Sequence, residues 1–565
     1  MFKFSQIEPK LVMISIIILS MVGGLFIMED YGIGIDTPGV IAYGNTSLKA
    51  YSPNMVADPL LVKDMLTTIY EPIGGAWVEN LKFYGPAFQI VSQLITEIIL
   101  RFVPTIDPLN VHKYLIFLTF LAGVWFLYIL CQRYVKGWTP VIIALAFLLQ
   151  PLYFGHSFIN SKDIPFMGLF IVAVALGFNM VDRYKDTITA SRGDNDEREN
   201  AEIKNIVIND TQGIDLRKPL QEIILLPKKL LSSLVNKHIL CAGVVLGLTI
   251  SVRNLGIAAG GIVGLLILVR HKEKAIAPGF AYLAIAALSA VASWPYMWHD
   301  PLGVFIRSIK LMSDHTWYGS VLFNGGFYLP KDLPISYLLQ LISLQFTIPI
   351  IILSIVGFGI FLIHKKKNKK FELLLISLWF ILPVIYVMIG KPTVYDNFRQ
   401  FLFITPPLFV FAGLGANWVG EKINNSWLIL ILVAVLILPG IVGIIDLHPF
   451  QYIYYNGFTG GIDGAFRIYE NDYWFTSYKQ SMEYVNGNAE SASIICVWGW
   501  TNVAKNYARK DLEIISSGSV QTEEICDYAL LSSRFNLDIN NARSGEVVYS
   551  VSIRDVILAT VKKMK

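Results

Sequence analysis

Along most of this chain apolar residues come in runs rather than in alternation, and several runs are long enough to cross a bilayer. Residues 11–28, 276–297, 341–363, 373–389 and 428–445 carry no charged side chain, and each predicts a transmembrane helix. The first run is followed at once by Glu29, Asp30 and Tyr31 with no small-residue cleavage pattern, so it reads as a retained helix. After residue 446 the pattern changes. Residues 493–498 and 546–551 have strand character, and 478–485 has helical spacing. The expected architecture is mainly α: a polytopic helical membrane domain of about 11 transmembrane helices over residues 1–446, then a small C-terminal α/β domain over 447–565.

Composition agrees, since 54% of the 565 residues are hydrophobic and 16% charged, outside the balance of soluble domains. A net charge of +4 argues against a nucleic-acid partner. Four cysteines are too few for a disulfide scaffold. Cys131 and Cys241 fall in apolar runs, whereas Cys496 and Cys526 share the tail, where one disulfide is an option.

Charge between the runs sets the orientation, because Lys and Arg of short loops are retained on the cytoplasmic side. Lys3 and Lys10 precede the first run, and a basic stretch at 364–370 separates two others. Counting from these anchors places 270–274 and the long loop 182–237 in the cytoplasm. Asp36, residues 155–165, Arg253, residues 298–340 and 391–399, and the whole tail then fall outside. Three apolar segments, 86–103, 114–131 and 139–152, separate two outer loops, so one of them does not cross fully. Residues 86–103, with Glu97 and Arg101, are the candidate for a partial or re-entrant helix. The loop 182–237 is charge-balanced and expected to be flexible, with 225–235 a helix on the inner surface. Residues 55–70 have the spacing of an amphipathic interfacial helix.

The chemistry concentrates in outer segments. Asp36 follows Tyr31-Gly32-Ile33-Gly34-Ile35, and His156, Asn160, Lys162 and Asp163 crowd between two apolar runs. Lys391 and Arg399 flank Asp396 and Asn397, and Arg253 stands alone between apolar runs. Carboxylates and cations on one face suit a reaction on a phosphate-linked, lipid-borne substrate: the phosphate needs neutralising as it leaves, and the incoming hydroxyl needs a base. Each residue also has a plainer reading. Asp36 before Thr-Pro is ordinary turn chemistry, Asp163 before Ile-Pro suits a helix N-cap, and Arg253 suits a snorkelling side chain. His156 and Lys162 suit a solvated helix end, and Asp396 with Arg399 a structural pair.

Five stretches, YGIGIDTPGVIAYG, GHSFINSKDIPF, WYGSVLFNGGFYLPKDLPISY, YDNFRQFLFITPP and HPFQYIYYNGFTGGIDGAFRIYENDYWF, together resemble glycosyltransferases of the GT-C superfamily, specifically the protein O-mannosyltransferase-like family 39. The resemblance covers most of the chain. It implies a multi-pass protein of the cell membrane with its active site on the extracytoplasmic face, in contact with membrane lipid. The implied donor is a sugar on a polyprenyl phosphate, the acceptor a hydroxyl of a protein, lipid or glycan, and the outcome inversion at the anomeric carbon. It implies Asp36 as catalytic base and Asp163 as the second acidic residue, orienting the acceptor or the surroundings of Asp36. Arg399 would match the residue that contacts the lipid phosphate; by charge and position Lys391 and Arg253 are candidates to help it, and His156, Asn160 and Lys162 are candidates for substrate contact. The family's Asp-Glu motif reads Asp36-Thr37 here, which weakens any role needing both carboxylates; no metal ligand set is assigned, although a divalent cation stays open as a cofactor. Two other readings stand beside this one, a secondary transporter and a non-catalytic member of the same fold. Transporters place ionisable groups near the membrane midplane within internal repeats, whereas here the charges lie in outer loops.

Overall fold

A computed structural model describes residues 8–51, 81–206, 227, 229–313, 317, 319–363, 367–423, 425–517, 523–542 and 544–564. The interfacial helix expected at 55–70 lies outside these residues, as does part of 225–235.

In chain order the helices are α1 (Pro9–Ile27), α2 (Thr37–Lys49), α3 (Ala87–Phe102), α4 (Pro108–Cys131), α5 (Thr139–Leu148), α6 (Pro151–Ile159), α7 (Asp163–Ile206), α8 (Lys237–Ile250), α9 (Ile257–His271), α10 (Ile276–Ala292) and α11 (Pro301–Ser313). A short hairpin of β1 (Val321–Phe323) and β2 (Gly326–Tyr328) precedes α12 (Tyr337–Gln345), α13 (Ile348–Ile363), α14 (Lys367–Gly390), α15 (Pro406–Lys422) and α16 (Ser426–Asp446). Local chemistry fixes many starts. Proline occupies the first turn of α1, α2, α4, α5, α6 and α15, where its missing N–H costs nothing. Asp107, Asn236 and Asn425 accept from the first amides of α4, α8 and α16.

The chain is an integral, multi-pass membrane protein. Among the described residues six stretches are long and apolar enough to cross a membrane: Pro9–Ile27, Pro108–Cys131, Asp163–Tyr184, Asn254–His271, Lys369–Gly390 and Ser426–Asp446. The number rises to 8 if the bent pairs α5 with α6 and α12 with α13 each count as one span. The expected 11 also counts α8, α10 and α15, of 14, 17 and 17 residues.

Three expectations are corrected in detail. The run 341–363 is not one helix: α12 and α13 meet at 119°. Pro349 has no N–H to give to the carbonyl of Gln345 four residues back, and its ring clashes with a helix continuing from there; Gln150 takes up that freed carbonyl, donating to Gln345 O at 2.9 Å. The segment 182–206, expected as flexible loop, continues α7 to Ile206; its Ala, Arg and Glu are helix formers and no proline interrupts it. Finally, residues 155–159, expected as a polar loop, are the end of α6, which bends 55° from α5 and is buried.

The suspect segment 86–103 is α3, which is not among the six spans and is sharply two-faced. Gln89, Ser92, Gln93 and Thr96 are buried, while Val91, Leu94, Ile98 and Phe102 are exposed. Its polar face is turned inward, where Ser92 Oγ lies 2.7 Å from His112 Nδ1, and its apolar face outward.

The tail holds α17 (Tyr478–Asn488) and a five-stranded sheet of β3 (Ile494–Trp498), β4 (Glu513–Ser516), β5 (Tyr528–Ser532), β6 (Glu546–Ile553) and β7 (Val556–Lys563). Strand order is β4-β3-β5-β7-β6, parallel on the β4-β3-β5 side and antiparallel on the other. Cys496 and Cys526 are disulfide-bonded beside β3 and β5. Residues 451–453 and 472–476 pack on the membrane helices instead of joining the sheet, with Gly155 of α6 against Tyr452 and Gly32 against Thr476.

Candidate functional site

One end of the helix bundle gathers charges that the chain supplies from five places. Asp36 stands before α2, Lys162 and Asp163 at the start of α7, Arg253 after α8, Asp396 and Arg399 between α14 and α15, and Arg534 in the tail. Most are more than nine-tenths buried, and buried charges must be paired.

The pairing runs as a chain. Lys162 Nζ is 2.7 Å from Asp36 Oδ2, and Arg399 Nη1 lies 3.7 Å from that oxygen and 3.2 Å from Asp163 Oδ2. Arg253 pairs with the other oxygen of Asp163. Arg399 Nε donates to Asp396 Oδ2 at 2.9 Å, and Arg534 pairs with Asp396 Oδ1. Burial works against the Arg399 charge, but Asp396, Asp36 and Asp163 outweigh it and hold the guanidinium pKa well above its ordinary value.

Local geometry explains these placements. The Asp36 side chain makes no capping bond to α2, so its carboxylate is turned to Lys162 instead of serving the turn. Asn160 Oδ1, and not Asp163, accepts from the amides of Lys162 and Asp163, at 3.3 and 2.9 Å. The capping role expected of Asp163 thus falls to Asn160, and Asp163 is left free for two arginines. Asn160 Nδ2 also donates to Asp163 Oδ2 at 3.0 Å and lies 3.2 Å from His156 Nδ1. His156 Nε2 is 2.9 Å from Tyr473 OH. A Cβ on Gly34 would lie 2.7 Å from the Trp474 ring, and one on Gly32 2.4 Å from Thr476 O; only glycine lets the first loop approach the 472–476 segment so closely.

Arg253 does not snorkel, and His156 and Lys162 are not solvated. Lys391 stands apart: it is exposed, has a left-handed φ of 42° just past α14, and takes no part in the ion-pair chain. Sequence reasoning assigned no role to Glu470, Tyr473, Trp474 or Arg534. Trp474 lies under the Arg399 guanidinium, 4.4 Å from ring centre to Cζ, and Tyr395 flanks it at 5.4 Å. Glu470 Oε2 accepts from the Asn397 amide at 3.0 Å. Burial, opposed by Arg534, pushes the Glu470 carboxyl up to about 7. Lys162, Arg253, Arg399 and Arg534 thus gather around Asp36, Asp163 and Asp396, and guanidinium groups are suited to holding an anion. Among the described residues no three His, Cys, Asp or Glu side chains gather for a metal. The cations beside Asp36 and Asp163 fit a divalent ion poorly.

An apolar groove of about 700 Å³ runs between α8, α9, α10 and α11, lined among others by Ile250 and Ile257, which flank the turn carrying Arg253 in sequence, and by Gly264, Leu283, Leu302 and Phe305. Its walls carry no charged side chain.

No family model matches the chain, and no curated protein does. Among solved structures it is similar to ArnT from Cupriavidus metallidurans in the apo state, at 11% identity over 98% of this chain and 97% of that one, with a TM-score of 0.48. ArnT bound to undecaprenyl phosphate aligns at 11% identity over 98% of both chains, with a TM-score of 0.47. The Archaeoglobus fulgidus oligosaccharyltransferase in its apo form is 12% identical over 80% of this chain and 62% of its own, with a TM-score of 0.41.

Proposed function

We propose that this protein is a membrane glycosyltransferase that moves a sugar from a polyprenyl-phosphate carrier to an acceptor hydroxyl on the extracytoplasmic face, with inversion. The observation that carries the reading is the convergence of Asp36 and Asp163 with Lys162, Arg253 and Arg399 at one end of the bundle, beside a charge-free groove. An isoprenoid tail suits such a groove, with its phosphate directed out of the groove to Arg253 and Arg399.

Asp36 accepts the proton of the acceptor hydroxyl as that oxygen attacks the anomeric carbon. The bond from that carbon to the phosphate oxygen breaks, and the electron pair leaves on the polyprenyl phosphate. Its charge grows from one to two during the step, so a guanidinium fixed beforehand stabilises the transition state more than the bound donor. Asp163 orients Arg253 and Arg399, and Lys162 holds the Asp36 carboxylate. Attack opposite the leaving phosphate inverts the anomeric centre. The disulfide of the tail suits an oxidising, extracytoplasmic side.

Purified protein in sealed vesicles, given radiolabelled hexose and pentose on polyprenyl phosphate with protein, lipid and glycan acceptors, is expected to make labelled product from at least one donor. Uptake of solute without any bond being made would instead identify a transporter, and inertness toward every donor a non-catalytic scaffold.

A further inference from the structure

We propose that Arg534, in the C-terminal domain, is a positioning residue of the transfer site: through Asp396 and the 472–475 segment it fixes the guanidinium of Arg399. The inference rests on glycosyl transfer at the site described above and extends it to a residue about 135 positions downstream of Arg399 in a domain with its own sheet.

Apart from Glu470, whose Oε1 lies 3.9 Å from its Nη2, Arg534 contacts the two segments that present Arg399. Its Nη2 pairs with Asp396 Oδ1, and the second oxygen of that carboxylate holds Arg399 Nε at 2.9 Å. Its Nη1 donates to Tyr473 O at 2.8 Å. Tyr473 precedes Trp474, whose ring underlies Arg399, and its own hydroxyl meets His156. One guanidinium thus ties the edge of Arg399 and the ring beneath its face to a common point. Arg399 has two edges: Nε is occupied by Asp396, which leaves Nη1 aimed at Asp36 and Asp163. Were Asp396 free to swing, Arg399 would lose the hydrogen bond that fixes its Nε edge.

The backbone at this junction supports a role beyond filling space. Asp396 and Asn397 both have φ of 55°, Phe475 has 58°, and Phe535 and Asn536, directly after Arg534, have 58° and 55°. Side chains rarely adopt such conformations, and they persist where surrounding contacts hold them in place, often at functional sites. Here they sit on both sides of a single contact. The sheet delivers it: Arg534 leaves the end of β5, the strand that pairs with β3 and β7 at the centre of the domain. A central strand is a rigid mount for a residue that must be placed to a fraction of an ångström.

The test uses the full-length protein in lipid nanodiscs, with Arg534→Gln, Arg534→Lys, Asp396→Asn and the Arg534→Gln/Asp396→Asn pair, each followed by transfer kinetics and thermal midpoint. A positioning role predicts that kcat falls about 10- to 100-fold in Arg534→Gln while the donor KM moves less than about threefold, because Arg399 acts mainly on the departing phosphate. Arg534→Lys, which keeps the charge on Asp396, recovers part of kcat. The double variant loses little more than Asp396→Asn alone, since both changes release the same guanidinium. Unchanged kcat in a folded Arg534→Gln overturns the inference, and so does loss of folding in both Arg534 variants, which would make the residue a structural tie. A wild-type protein without transfer activity would fail the glycosyltransferase reading itself, a separate result from any difference among the variants.

Discussion

Asp396 shows why a residue that does no chemistry in the proposed reaction can still govern it. Its two oxygens are divided between Arg399 and Arg534, so neither arginine can move without disturbing the other. Glu470 sits against the same pair and carries a consequence for pH. Its carboxyl, ordinarily at 4.5, is pushed up to about 7 by burial, with Arg534 pulling it down and Asp396 pushing it further up. Between those values the native state keeps a proton that the unfolded chain has released. The stability this group contributes is therefore whole below about 4.5 and is lost as pH rises through about 7. The thermal midpoint of the wild type should fall across that window, and Glu470→Gln should flatten the fall; an equal slope in the variant would mean that another group titrates. Asp36, Asp163, Arg253 and Arg399 were legible in the sequence because a charge between apolar runs is costly and marks itself. Arg534 was not legible, since it lies in a tail where an arginine costs nothing until the fold buries it.

At the scale of elements, what positions the site is a set of breaks in helices. The bend between α5 and α6 and the stop at Asn160 bring His156 inside and set Lys162 and Asp163 at the head of α7. The first loop must then lie against residues 472–476, and Gly32 sets the distance. Gly32→Ala would place a methyl group 2.4 Å from a backbone oxygen, a clash of the kind that costs on the order of 1–3 kcal/mol. The expected result is a lower thermal midpoint and severalfold slower transfer with normal membrane insertion; wild-type values for both would show that the loop can stand off. Apolar runs announced where helices lie but not where they break. The run 341–363 looks continuous because Gln345 and Thr347 are uncharged, and only the partner Gln150, almost two hundred residues earlier, reveals how their backbone is satisfied.

At the scale of the whole molecule, the described residues hold a second buried charge cluster at the end of the bundle away from the proposed site. Opposite the proposed site, Glu372 is fully buried and contacts Arg133, Arg270 and Lys369. Lys369 of the basic stretch 364–370 and Arg270 of the 270–274 loop thus meet at one carboxylate, and the positive-inside rule predicts that this end is cytoplasmic. Single cysteines at the exposed positions Lys391→Cys and Lys274→Cys, in a background without Cys131 and Cys241, test this: an impermeant maleimide on intact cells should label the first and spare the second. The reverse pattern would invert the topology and move the site to the cytoplasmic face. The five motifs carried the resemblance to the GT-C fold and the order of the chain, whereas the docking of the tail onto the membrane helices, on which the site depends, appears only in three dimensions. Asp36 as the group that takes the acceptor's proton is tested most directly by transfer with purified Asp36→Asn. The expected rate is lower by about 10²- to 10⁴-fold in a protein that still inserts and binds donor; transfer at the wild-type rate would rule out Asp36 as the base.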